Sequence, residues 1–156
     1  MFENDEEIIG INGTIGVTGG YTIIASLSFI TNKMTHGPFG RATDNIFSVP
    51  WNKGNFGGFY GLAGYYIDAI GVYMKASSEE FEIARTGIWG TESPGGPQNQ
   101  WSFQLERNHH LKKITIDHGD LIYSLMFTTE YRGLEQPSDK AGGWNGGDKV
   151  SEVMIS

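Results

Sequence analysis

The chain has 156 residues, no cysteine and a formal net charge of −7. That length suits one domain that buries its own core without disulfide or metal staples, and the missing thiols exclude disulfide frameworks and thiolate chemistry. Its 11 Lys and Arg are scattered, whereas a phosphate backbone needs a clustered basic face, so nucleic acid is excluded as a partner.

No apolar run approaches the ~18–20 residues of a membrane span, and membrane insertion is not expected. The first ten residues, MFENDEEIIG, are acidic and lack the apolar region of a signal peptide. With the absent cysteines, this sets a cytoplasmic expectation. The chain has 23 glycines, roughly twice the average usage of about 7%. They cluster between short aromatic and β-branched runs, which predicts an all-β domain with many turns.

In chain order, a first strand is predicted at Ile8–Ile15, then a turn at Gly16–Gly20. Tyr21–Thr31 alternates, with Ile24, Ser26, Ser28 and Ile30 on one face and Ile23, Ala25, Leu27 and Phe29 on the other. Both faces are partly apolar, so burial on both sides is expected. A turn at Met34–Gly40, a strand at Ile46–Val49, a turn at Trp51–Asn55 and strands at Phe56–Tyr60 and Asp68–Lys75 follow. Ser77–Ala84 is polar and acidic and reads as a linker, and Glu79–Arg85 is the one place for a helical turn. Further strands are predicted at Trp101–Glu106, Leu111–His118, Leu121–Tyr131 and Val150–Ile155. The run Leu121–Phe127 echoes Tyr21–Phe29, and paired glycines recur at Gly19-Gly20, Gly57-Gly58, Gly95-Gly96, Gly142-Gly143 and Gly146-Gly147. Such repeated strand-and-turn units suggest a pseudo-symmetric body.

The densest functional signal lies in residues 57–74, GGFYGLAGYYIDAIGVYM. Within it, Gly64-Tyr65-Tyr66-Ile67-Asp68 can aim backbone N–H donors and one carboxylate at a single point. A hydroxyl both donates and accepts, a carboxylate acceptor gives a charge-assisted bond, and glycine lets backbone approach a ligand closely. The segment is therefore equipped to grip hydroxyl groups. No nucleophile with a base and an orienting group accompanies it, so no enzymatic activity is expected. His109-His110 reads as a solvated turn, and His36 and His118 lack metal-ligand spacing; neither a metal nor a cofactor is expected. Asn12-Gly13-Thr14 fits an N-glycosylation acceptor, which matters only in a secreted chain.

Taken together, Ser26–Lys33, His36-Gly37-Pro38-Phe39-Gly40 and Gly57–Val72 resemble the C-terminal half of the jacalin-related plant lectins. Trp89-Gly90, Gly95-Gly96, Trp101-Ser102-Phe103, Ile114–Asp120 and Gly142–Gly147 resemble the N-terminal half of that family. The halves come in reversed order: residues 1–76 match the C-terminal half, 88–156 the N-terminal half, and 77–87 join them. One circularly permuted domain is the expectation, and a chain cut across two tandem domains is the alternative. The resemblance implies a β-prism I of three antiparallel Greek-key sheets with pseudo-threefold symmetry. Composition alone does not choose a prism over a sandwich.

By the same resemblance, Asp68 accepts hydrogen bonds from two sugar hydroxyls, and the N–H groups of Tyr65 and Tyr66 donate to ring-side oxygens. Gly64 opens that turn. Gly96, beside Gly95, donates its N–H from the facing loop, and Tyr21 flanks the sugar with its ring. Residues 91–100 make that loop longer than is usual in the family. A second glycine loop, Gly142–Gly147, has Asp120 nearby, but Tyr123 stands where a second acid would be needed, so one site per domain is expected. Galactose-preferring members are cleaved just before the first-loop glycine. Here Gly96 lies within a continuous, proline-flanked loop, which implies mannose or glucose and hence mannose/glucose-containing glycans and glycoproteins as partners. Weak single sites gain avidity in a homo-oligomer, so a dimer or higher assembly is expected. The competing readings are a protein-interaction module of the same fold and a glycosidase pairing Asp68 with Asp120 or Glu92.

Overall fold

The computed structural model describes residues 6–75, 83–90, 99–143 and 149–155. Its strands fall into three antiparallel sheets, each drawn from one stretch of chain. The first holds β1 (Ile8–Thr18), β2 (Tyr21–Thr31), β3 (Thr35–Gly40) and β4 (Asn45–Pro50), in the order β3-β2-β1-β4. The second holds β5 (Phe56–Ala63), β6 (Ile67–Lys75), β7 (Ile83–Arg85), β8 (Trp89–Gly90) and β9 (Asn99–Gln104). Its order is β7-β6-β5-β9, with β8 also on β6. The third holds β10 (His110–His118), β11 (Ile122–Tyr131), β12 (Leu134–Pro137), β13 (Ala141–Gly142) and β14 (Lys149–Met154). There the order is β12-β11-β10-β14, with β13 also on β11.

The three sheets share one plan. Each has a central hairpin, β1–β2, β5–β6 or β10–β11, with an irregularity near either end of its ladder. Matching the ladders by these irregularities aligns Ile24 with Ile67 and Ile122, Leu27 with Ile70 and Leu125, and Phe29 with Val72 and Phe127. All nine are at most 1% exposed and belong to one core. Rings from the three sheets meet there: Phe59 lies 6.1 Å from Phe29 and 5.5 Å from Phe127, centroid to centroid. Fully burying one such side chain contributes about 1.5–3 kcal/mol, so this shared centre rather than any single sheet holds the prism together. The echo between Tyr21–Phe29 and Leu121–Phe127 is thus a structural equivalence of β2 and β11. The expectation of burial on both faces holds for β2 from Ile23 to Phe29.

Several expectations are corrected. The turn expected at Gly16–Gly20 narrows to Gly19-Gly20, because β1 continues to Thr18, which pairs with Tyr21. The turn expected at Met34–Gly40 is largely strand β3, whose Gly37-Pro38 peptide is cis. Pro38 is compatible with that strand because β3 is an edge, where a missing N–H breaks no ladder. The helical turn over Glu79–Arg85 is contradicted at its described end: Ile83–Arg85 pair with Tyr73–Lys75 as strand β7. Residues 77–82 of the expected linker lie outside the described residues.

Candidate functional site

Asp68 occupies a special place in its strand. Leu62 pairs with Ala69 and Ala63 with Ile67, so Asp68 is the extra residue of a β-bulge. Bulges re-aim a side chain out of the regular pleat. The same count makes Ala25 the extra residue of β2, between Ser26 and Ile24, and Tyr123 that of β11, between Ser124 and Ile122. Three equivalent bulges therefore carry Ala, Asp and Tyr, and one of them is an acid. Asp68 is 5% exposed, and a carboxylate held that deep is stable only with hydrogen-bonding partners.

A glycine of a neighbouring edge strand closes over each bulge. Gly40 pairs with Ser26, Gly90 with Ala69, and Gly142 with Ser124. All three have positive φ, +86°, +112° and +78°. A Cβ on any of them would come within 3.0 Å of the carbonyl oxygen of Ala25, Asp68 or Tyr123, respectively. The sequence displays Trp89-Gly90 but gives no sign that Gly90 roofs the Asp68 backbone; only the register reveals it.

The turn before Asp68 is short. Gly64 N–H donates to the Tyr66 carbonyl at 2.9 Å, and Gly119 N–H donates to Leu121 at 3.1 Å in the equivalent turn of the third sheet. Gly64 is buried, while Tyr65 at the tip is 51% exposed. Tyr66 is half-buried, its ring 5.2 Å from that of Tyr123. Gly64, Tyr65, Tyr66 and Asp68 are thus presented together at one end of the prism. Tyr21 lies at the tip of the β1–β2 hairpin, 49% exposed. That hairpin continues three residue pairs beyond Ile15–Ile24, whereas β5–β6 and β10–β11 close directly after the matching pair.

Gly95, Gly96 and Glu92 lie outside the described residues, as do residues 144–148 of the second glycine loop. The described strands on either side of residues 91–98 end beside the Asp68 turn. Gly90 abuts the Asp68 carbonyl, and Asn99 pairs with Ala63. Strand β8 also adjoins the first sheet: Trp89 stacks on Phe47 of β4, with centroids 5.8 Å apart and an interplanar angle of 13°. Asp120 belongs to the turn of the third sheet, where its carbonyl accepts a hydrogen bond from Arg41 N–H at 3.2 Å.

Comparison with known proteins agrees with this architecture. The family described as Jacalin-like lectin domain matches residues 1–73. A mannose/glucose-specific lectin of Parkia platycephala is 39% identical over 153 residues, covering 98% of this chain and 32% of that lectin. A mannose/glucose-specific lectin of Parkia pendula is 40% identical over 124 residues, covering 80% of this chain and 26% of the relative. A galactose-specific lectin of Morus indica is 39% identical over 69 residues, 44% of each chain. The chain spans a third or less of the two Parkia lectins. Three antiparallel sheets on one repeated plan, the match at residues 1–73 and the similarity along nearly the whole chain show that this chain carries a jacalin-like lectin domain.

Proposed function

We propose that this protein is a lectin for mannose- or glucose-containing glycans, binding them through Gly64, Tyr65, Tyr66 and Asp68, with Gly95-Gly96 opposite and Tyr21 at the rim. The position of Asp68 carries this reading. Of the three equivalent bulge residues, Asp68 is the acid, and the edge strand closing over it leads into the Gly95-Gly96 segment. One carboxylate accepting from adjacent hydroxyls, with turn N–H groups donating, matches the alternating donors and acceptors of a pyranose edge.

Tyr21 is supported by the repeated plan. The turn of the second sheet leans on the third-sheet bulge through Tyr66 and Tyr123. The turn of the third sheet reaches the end of β3 through Asp120 and Arg41. The same step of the rotation, applied to the first sheet, supports a place for the β1–β2 hairpin, with Tyr21 at its tip, on the Asp68 side. Tyr123 at the third-sheet bulge supports a single site, because it offers no carboxylate there. Mannose or glucose is favoured over galactose because the two Parkia lectins, aligned along 80% and 98% of the chain, are named mannose/glucose-specific.

Binding without catalysis is part of the proposal. A glycosidase needs two carboxylates flanking one bond, roughly 5–9.5 Å apart, and Asp120 belongs to the turn of a different sheet. A single site holds a monosaccharide with a Kd on the order of 1 mM, about 4 kcal/mol, so a homo-oligomer supplies avidity. Retention on mannose-agarose, elution by free mannose or glucose but not galactose, and no turnover of aryl glycosides are the expected results. A folded protein that passes through the column and binds nothing on a glycan array would favour an interaction module instead.

A further inference from the structure

Each junction between sheets brings together three residues that the repeated plan makes equivalent. One comes from the first strand of the central hairpin, one from the outer strand paired beside it, and one from the edge strand of the next sheet. Between the first and second sheets these are Ile15, Phe47 and Trp89, and Trp89 stacks on Phe47. Between the third and first they are His118, Ser151 and Phe39. There the Phe39 ring meets His118 edge-on at 5.4 Å, and His118 Nε2 lies 2.8 Å from Ser151 Oγ.

Between the second and third sheets the three residues are Ala63, Trp101 and Ala141. The edge-strand position that supplies a ring at the other two junctions here supplies a methyl group. Ala63 is equally small where the other junctions have Ile15 and His118. The consequence is a cleft of about 220 Å³, lined by Ala63, Trp101, Phe127 and Ala141 and, in about equal measure, by polar groups that include Gln100, Ser102 and Ser138. It exceeds the ~150 Å³ cavity in which a benzene is held. Its rim carries Asp139 and Lys140, both exposed and of opposite sign, so the opening favours neither charge. Asp68 lies elsewhere, under β8 at the junction with the first sheet.

We propose that this cleft is a second ligand site, for a small uncharged planar aromatic molecule of one or two fused rings. The molecule stacks on Trp101 in the place that Trp89 takes on Phe47. Stacked rings prefer centroid separations of about 4.5–7 Å, the range the Trp89–Phe47 pair adopts. Asp68 is not among its lining residues, and the proposal does not rest on the lectin reading.

Indole is the probe. Titrated into isotope-labelled full-length protein and followed by NMR, it is expected to give saturable shifts at Ala63, Ala141 and Trp101, with a Kd on the order of 1 mM or tighter. Ala141→Phe restores the missing ring. It should weaken indole binding at least tenfold and raise Tm by about 2–4 °C, with mannose-agarose retention unchanged. Ala63→Leu enters from the facing wall and should also weaken indole binding, which keeps the test decisive if one variant fails to fold. No saturable shift up to the solubility of indole, shifts mapping to Tyr65 and Tyr66 instead, or undiminished binding in a folded filled variant would each overturn the proposal.

Discussion

Gly90 has a φ of +112°, and an added Cβ would press against the Asp68 carbonyl and the Ala69 Cα. An alanine there is opposed twice, by left-handed backbone strain and by a contact with main chain that cannot swing away. Gly90→Ala should therefore lift β8 from β6 and cost ~2–4 kcal/mol, lowering Tm by roughly 5–12 °C. Because β8 leads into residues 91–98, mannose retention should fall with it. Calorimetry and the affinity column check both, and an unchanged Tm would remove the closing role of Gly90. The residues of the proposed site were singled out in the sequence, where Gly64 through Asp68 read as a hydroxyl-gripping turn. That Asp68 is a bulge residue was not legible there, because a bulge is a property of two strands in register and neither strand shows it alone.

His118 ends strand β10, 8% exposed, facing Phe39 across the junction with Ser151 at hydrogen-bond distance. Burial, and then the charge of neighbouring Lys149, hold its pKa below the ordinary imidazole value of 6.5, with Asp117 opposing in part. The folded protein thus binds this proton less readily than the unfolded chain. Stability from this group is complete above pH ~6.5 and declines as the pH falls below it toward the folded value, because unfolding then takes up a proton. His118→Asn should flatten the part of the stability curve just below pH 6.5. Denaturant titrations at several pH values measure it, and an equal slope in the variant would contradict the assignment. At this scale the long strands were legible from their alternation, as Tyr21–Thr31 and Leu111–His118 show. The short edges were not. Trp89-Gly90 and Ala141-Gly142 are too short for any period, and β3 hides behind Gly37-Pro38. Their strand character comes from partners supplied by β6, β11 and β2.

Across the whole molecule, the second sheet joins the two stretches that the family resemblance assigns to opposite halves. β5, β6 and β7 come from residues 56–85, and β8 and β9 from residues 89–104. We read both stretches as parts of one prism, because their strands pair within one sheet. Fragments 1–80 and 81–156 should then fail to fold separately and form one complex when coexpressed, since β9 needs β5 and β8 needs β6. A stable, cooperatively melting 81–156 fragment would count against that reading. The repeated plan also agrees with the single sugar site proposed above: three bulges are built alike, and only the one in β6 carries a carboxylate. Titration calorimetry of methyl α-mannoside into the full chain and into Asp68→Asn tests this most directly. The wild-type protein should bind with a Kd on the order of 1 mM, and the variant, its Tm within about 3 °C of wild type, should lose at least ~30-fold in affinity as a charge-assisted acceptor disappears. A folded Asp68→Asn protein that binds the mannoside as tightly as wild type would contradict the account.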